Sequence, residues 1–245
     1  MDHGLRIEPI SQAEDFTQAF HCASEAFGRQ AKDAVWMCMN PDWEKPAGIA
    51  RGAAAMVSRW STITQNQDGL PNTVFLKATL PNSEGGRVIA GCAIWVQASA
   101  VEGHGDKPAE NLGEALQLES LYPGNETEQR YITQVMSSFF RRRNQVIQEK
   151  ATATPPAVMI LDMCVVDPAY QRKGLARALV QWGLDEAQRR GDLEAITEAS
   201  AMGRHVYGQM GFKPVGTDID YIVDPEFAHR DRPANLFMRT RGGNV

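Results

Sequence analysis

The residues best suited to do chemistry stand in one stretch, Leu161–Ala176, which reads LDMCVVDPAYQRKGLA. The apolar, partly β-branched segment 158–166 predicts a strand, and the helical spacing over 174–190 predicts a helix. A strand that turns tightly into a helix directs several unpaired backbone N–H groups at one point, with the positive end of the helix dipole behind them. Because such a helix N-terminus binds phosphate, the stretch predicts a phosphate-bearing ligand.

Within the same strand, Asp162 is a lone carboxylate among apolar residues. A buried charge is costly unless a partner or a chemical task compensates for it. Two interpretations stay open: a carboxylate that takes part in a reaction, and one that is hydrogen-bonded to a neighbouring strand or loop. Alternation along the strand predicts that Asp162 shares a face with Ile160 and Cys164.

The elements around this stretch predict one mixed α/β domain over residues 1–245. Hydrophobic spacing and turn residues predict, in chain order, strand 5–10, a helix that begins with a capping box at Ser11–Glu14, helix 51–63, strands 73–80 and 87–97, helix 128–150, strand 158–166, helix 174–190 closed by Gly191, strand 195–199, helix 202–210, and strands 212–215, 219–223 and 236–239. Residues 98–128 are polar with weak periodicity, which predicts an insertion or a long loop.

The triplet Arg141-Arg142-Arg143 lies inside the helix predicted at 128–150. The apolar residues of that segment follow helical spacing, so the triplet is predicted to be the solvated face of the helix. The alternative is a patch that binds an anionic substrate.

Composition and patterning exclude several classes of protein. The net charge of −5 argues against a nucleic-acid partner. No apolar run is long enough to span a membrane, and MDHGLRIEPI lacks the features of a signal peptide. The cysteines form neither a CxxC pair nor a zinc pattern, which predicts a reduced, cytoplasmic protein without a metal site.

A second motif, SAMGRHVYGQMGF at Ser200–Phe212, follows the first by some thirty residues. Together with Gln171-x-x-Gly174-x-Ala176 it resembles the GNAT superfamily of acyl-CoA N-acyltransferases. The resemblance is strongest over 158–215 and implies a central mixed, mostly antiparallel β-sheet with a splayed strand pair, flanked by helices. Two departures are Ser200, where many relatives have Asn, and Gly203, where many have Ala.

The resemblance implies a site for acetyl-CoA. Its phosphates would lie on the loop formed by Gln171, Arg172, Lys173, Gly174, Leu175 and Ala176, whose N–H groups can reach a pyrophosphate. Its pantetheine arm would pair with the backbone of Cys164, Val165 and Val166, where one N–H would polarise the thioester carbonyl. Ser200 would contact the arm or cap the following helix.

The reaction implied is direct attack of a neutral amine on the thioester, with a base for the ammonium and an acid for the departing thiolate. Tyr207 matches the tyrosine of the family near the sulfur and is the candidate acid, although an amphipathic tyrosine of the core gives the same pattern. Asp162 is the candidate base, with a water relay as the alternative. The expected acceptor is a small-molecule amine, in a monomer or homodimer; a peptide or protein acceptor and a non-catalytic acyl-CoA sensor are the competing hypotheses.

Overall fold

The computed structural model describes residues 4–241, so both ends of the predicted 1–245 domain lie outside the described residues. The strands are β1 (Arg6–Pro9), β2 (Thr73–Pro81), β3 (Arg87–Ala98), β4 (Val158–Val166), β5 (Glu194–Ala199), β6 (Lys213–Asp218) and β7 (Leu236–Arg239). The α-helices are α1 (Asp15–Ala23), α2 (Ala34–Met39), α3 (Pro46–Ser61), α4 (Leu112–Ala115), α5 (Leu118–Leu121), α6 (Glu126–Glu149), α7 (Leu175–Arg189) and α8 (Gly203–Gln209). A π-helix, Ser24–Gln30, continues α1.

All of these strands form one open sheet in the order β1-β2-β3-β4-β5-β7-β6. Every neighbouring pair is antiparallel except β4 and β5, which run parallel. Helices flank the sheet on both sides. The predicted fold class, a mixed and mostly antiparallel sheet between helices, is therefore confirmed.

Hydrophobic cores fill both faces of the sheet. On one face, α7 and α8 pack through residues such as Leu179 and Tyr207 against Trp95, which is fully buried. On the other face, α1 and α6 pack against the sheet around Phe16 and Val146. Since a sheet covered on both sides excludes water from its middle strands, any functional group on β4 or β5 acts in a largely apolar setting.

Two predicted elements are wrong in detail. The helix expected to start with a Ser11–Glu14 capping box starts at Asp15 without a side-chain cap, because the carbonyls of residues 12–14 accept its first N–H groups. Residues 219–223 form no strand: Ile219 donates to the carbonyl of Asn235, and Ile222 donates to the Ser138 hydroxyl of α6.

The segment predicted as an insertion or long loop, 98–128, contains α4 and α5. Leu118 of α5 is buried in a third cluster that also includes residues of α6. Within residues 4–241, no helix combines the length and the apolar character needed to cross a membrane.

Candidate active site

The loop between β4 and α7 has the backbone of an anion site. Asp167 caps a short 3-10 turn, after which Arg172 and Gly174 adopt left-handed conformations with φ of 64° and 84°. These two residues reverse the chain directly into α7. The first four N–H groups of a helix have no partner inside it, so those of α7 are directed at the space in front of the loop.

Gly174 borders open space on the side that a phosphate would approach. A Cβ added there would have no atom within 4 Å, and the positive φ already disfavours any larger residue. Arg172 and Lys173 are exposed, and the Lys173 ammonium lies 5.3 Å from the centre of the Tyr170 ring. Leu175 is buried in the core and anchors the start of the helix.

Gln171 is fixed by three hydrogen bonds. Its amide exchanges two of them with the side-chain amide of Gln30, at 3.1 and 2.7 Å, and donates a third to the carbonyl of Val166 at 3.1 Å. Gln171 therefore ties the loop both to the π-helix and to the end of β4.

Strands β4 and β5 separate after their first residues. Their pairing runs from Val158 to Ile160 of β4, and the last direct tie is the Thr197 hydroxyl donating to the carbonyl of Leu161 at 2.9 Å. Beyond this point the two strands bound a wedge that opens toward the phosphate loop. This is the splayed pair that the fold prediction expected.

Only part of the predicted backbone surface faces the wedge. The N–H of Asp167 donates to the carbonyl of Ala90 on β3. In an antiparallel pair every second residue is hydrogen-bonded to the partner strand, so the backbone of Val165 is bonded to β3 as well. The same alternation turns the backbone groups of Cys164 and Val166 away from β3 and into the wedge. By this pairing the backbone of Val165 belongs to the sheet, and the predicted contact of Val165 with a ligand stays a prediction.

A β-bulge lies at Asp162. Met163 pairs with Ile94 and Leu161 pairs with Trp95, which leaves Asp162 as the extra residue on β4. The bulge interrupts alternation: Ile160 packs on the α1 side of the sheet and Cys164 on the α7 side. The prediction that these two residues share a face is wrong for this reason.

Tyr207 reaches the wedge from α8. Its ring is buried, and its hydroxyl is close enough to the thiol of Cys164 on β4 for each group to shift the pKa of the other. Gly203, one turn earlier, makes room for the ring, because a Cβ there would lie 2.6 Å from Cε2 of Tyr207. The Ser200 hydroxyl accepts from the N–H of Gly203, the first residue of α8, at 3.1 Å. Both departures from the family pattern thus have local structural roles.

Burial raises the pKa of the Tyr207 phenol well above its ordinary value, with a further contribution from Cys164. The phenol therefore keeps its proton through the physiological range. A proton-bearing hydroxyl at the edge of the wedge is placed to donate to a sulfur that lies there.

On the other side of the wedge, four charged side chains form a network. Arg143 of α6 binds both oxygens of Glu198 through Nε, at 3.1 and 3.2 Å, and adds a second contact through Nη2. Its Nη1 donates to Asp162 at 2.7 Å, and Arg59 of α3 donates to the other Asp162 oxygen at 2.9 Å. The network joins β4 and β5 to two helices.

This network is unfavourable for the predicted role of Asp162 as base. Burial by itself would raise the pKa of the Asp162 carboxyl, but the guanidinium groups of Arg59 and Arg143 outweigh it and hold that pKa well below its usual range. A carboxylate whose conjugate acid is that strong accepts a proton poorly near neutral pH. The alternative left open from the sequence, a partner-bound carboxylate, describes Asp162 better.

Sequence reasoning missed Arg143, Glu198 and Arg59. Arg143 belongs to the triplet predicted to be solvated, and Arg141 and Arg142 are indeed exposed, but the side chain of Arg143 is only 11% exposed. The available signal was a carboxylate in each of two predicted strands, Asp162 and Glu198, since a buried carboxylate needs a buried cation.

Within the described part of the chain, no group of three or more His, Cys, Asp or Glu side chains is arranged to hold a metal ion.

Residues 129–220 match a family model described as an acetyltransferase (GNAT) domain. The match begins in α6 and ends just after β6, so it includes the wedge, the phosphate loop and Tyr207. No curated protein matches the chain.

Solved structures of acetyltransferases share the fold over nearly the whole chain. Arylalkylamine N-acetyltransferase 2 from Aedes aegypti is 16% identical with a TM-score of 0.56, and covers 96% of this chain and 97% of its own. Polyamine N-acetyltransferase from Drosophila melanogaster is 11% identical with a TM-score of 0.59 and the same coverage. A histone acetyltransferase HPA2-related protein from Corynebacterium glutamicum is 20% identical with a TM-score of 0.52, covering 98% of both chains. The resemblance seen in the sequence is confirmed for residues 129–220, where the domain match indicates an N-acetyltransferase. The solved structures show that the fold is shared.

Proposed function

Because residues 129–220 are a GNAT acetyltransferase domain, we propose that the protein transfers the acetyl group of acetyl-CoA to the primary amine of a small molecule, by direct attack in a ternary complex. One observation carries the proposal: an anion-binding loop opens directly into a wedge between two splayed strands, and Tyr207 borders that wedge.

The chain's own residues fit this donor. The free N–H groups at the start of α7 and the open space beside Gly174 suit a pyrophosphate. The backbone of Cys164 and Val166 offers an unpaired edge to the pantetheine amides, as a strand edge does to an added strand. Arg172 and Lys173 add positive charge at the solvent side, where screening limits their contribution.

The bound thioester would supply an electrophilic carbonyl: the amine nitrogen forms a bond to its carbon, and the carbon–sulfur bond breaks. The proton released by the amine leaves through water, because Asp162 is held in its ion pairs. Tyr207 donates its phenolic proton to the departing thiolate as the catalytic acid, and water then returns a proton to the phenolate. The N–H of Cys164, turned into the wedge, is the donor for the developing oxyanion.

A small acceptor is supported by two considerations. Two of the solved structures that share the fold are an arylalkylamine and a polyamine N-acetyltransferase. Half-buried apolar side chains, including Phe27, Trp36 and Met163, lie on the same side of the sheet as the charged network. Such a surface can hold the carbon chain or ring of a small amine.

The first test is ligand binding. Acetyl-CoA and CoA at a hundred times their dissociation constants stabilise the native state by about 2.7 kcal/mol, which raises the melting temperature. NAD serves as the control nucleotide. If neither CoA species shifts the melting temperature, the cofactor proposal fails.

The second test is turnover. Thiol release from acetyl-CoA is measured over a panel of arylalkylamines, polyamines and amino acids, alongside peptides with free N-termini or lysines. Turnover with a small amine supports the proposal. Turnover with peptides alone indicates a protein acceptor, and CoA binding without any turnover indicates a sensor.

A further inference from the structure

The closed end of the wedge is held by side chains rather than by backbone pairing. After the contact between Thr197 and Leu161, no backbone bond of the described residues joins β4 to β5. The next side chains that face α6 from the two strands are Asp162 and Glu198, both acidic. Two buried carboxylates facing each other repel, so the strands need a cation between them to keep a fixed separation.

Arg143 is that cation. Its guanidinium makes a fork on Glu198 and a single contact with Asp162, with the side chain of Glu198 only 1% exposed. A guanidinium is planar and rigid, so the distance between the two carboxylates follows from its own dimensions. The Phe140 ring lies 4.6 Å below it and fixes its plane.

We propose that Arg143 sets the separation of β4 and β5 at the closed end of the wedge and thereby restricts the acyl group of the donor to acetyl. This inference rests on the proposed function. Phosphates, pantetheine arm, thioester and acyl group follow one another along the donor. A donor whose phosphates lie at Gly174 therefore directs its acyl group toward the closed end, where a longer acyl chain would meet the Arg143 bridge.

Lysine at this position keeps the charge but not the fork. It has one point of attachment and cannot hold two carboxylates at a fixed distance. In Arg143→Lys the end of the wedge is therefore expected to loosen while the phosphate loop stays unchanged. Arg143 is a positioning residue here: it acts through the strands and donates no proton to the substrate.

The experiment measures kcat and KM for acetyl-, propionyl-, butyryl- and hexanoyl-CoA at a saturating amine, with the dissociation constant of CoA measured separately. We expect the wild type to prefer acetyl- over butyryl-CoA by about tenfold or more, since a chain that displaces a buried ion pair loses at least 1.4 kcal/mol. In Arg143→Lys the preference for acetyl- over butyryl-CoA falls by about threefold or more, and the change is in KM. The dissociation constant of CoA stays within about twofold of the wild-type value.

Arg130→Lys is the matched control, because Arg130 lies on the same helix and its ion pairs, with Asp224 and Glu226, are exposed. Its chain-length preference should equal that of the wild type.

If Arg143→Lys does not fold, Glu198→Gln replaces it, since an amide of the same shape weakens the fork without removing bulk. A folded variant of either kind that keeps the wild-type chain-length preference overturns the inference while the proposed function stands. Absence of CoA binding by the wild type overturns the proposed function instead.

Discussion

Tyr207 combines a buried ring with a hydroxyl directed at the strand that would carry the thioester. Removing only this hydroxyl, in Tyr207→Phe, should lower kcat by about 10²-fold, the low end of the range for a positioned acid. KM for acetyl-CoA should change little, because the ring still fills its place in the core. Steady-state thiol release gives both constants.

Tyr122→Phe is the control for that variant. The Tyr122 hydroxyl donates to the carbonyl of Cys38 at 2.7 Å, so it too has a hydrogen bond to lose, but it lies outside the wedge. A similar loss of kcat in both variants would mean that Tyr207 acts through packing alone.

The role of a residue was predictable where that role depends on its neighbours in the sequence. Gly174 and Tyr207 were each identified from a motif whose own residues lie within a few positions of one another, and local backbone geometry is what such motifs encode. Asp162 was identified as unusual, but its partners stand on other elements, 103 residues away on α3 and 19 residues away on α6. A choice between base and ion pair depends on those partners, so the sequence left it open.

At the scale of elements, β4 was predicted with its observed bounds, 158–166, and α7 to within a residue. The bulge at Asp162 was not predicted, since it is a property of the pairing between β3 and β4 rather than of β4 alone. Its consequence is large: every side chain after it changes face, which brings Cys164 to the α7 side, next to Tyr207.

The turn before α7 depends on a glycine whose surroundings are empty. In Gly174→Glu, a carboxylate would stand where the phosphates are expected, so the dissociation constant of CoA should rise by about tenfold or more. Calorimetric titration with CoA measures it. Gly85→Glu is the matched control, because Gly85 has a φ of 81° and also has no atom within 4 Å of an added Cβ. Equal CoA affinity in the two variants would show that the loop binds no phosphate.

Gly203, at the start of α8, has crowded rather than empty surroundings. A methyl group in Gly203→Ala would press on the Tyr207 ring, so the variant should lose kcat and about 1–3 kcal/mol of unfolding free energy. Gly208→Ala lies on the same helix with no atom within 4 Å of the added Cβ and should gain about 0.5–1 kcal/mol. Denaturant unfolding and thiol release test both. Normal turnover in Gly203→Ala would mean that the position of the Tyr207 ring does not matter for catalysis.

At the scale of the whole molecule, the charged network is a cross-link between layers. Arg59 comes from α3, Arg143 from α6, Asp162 from β4 and Glu198 from β5. These four residues span positions 59 to 198 of the chain, and one set of hydrogen bonds connects them at the place where the strands part. Breaking a buried pair leaves an uncompensated charge, so the site and the stability of the fold depend on the same residues.

The free energy of unfolding should therefore depend on pH through the protonation of Asp162. The pKa of Asp162 in the folded state is lower than in the unfolded chain, where it is about 3.9. Such a group stabilises the fold fully above the unfolded pKa, and the contribution is lost as the pH falls from about 4 toward the folded pKa.

At pH 7, Asp162→Asn should melt about 4–8 °C below the wild type, as expected for a loss of about 2 kcal/mol in a chain of this size. Below pH 4 this gap should narrow. Asp185→Asn, which removes a carboxylate from the exposed face of α7, should show no gap at either pH. A gap for Asp162→Asn that stays constant from pH 7 to pH 3 would contradict the ion-pair assignment and return Asp162 to consideration as the base.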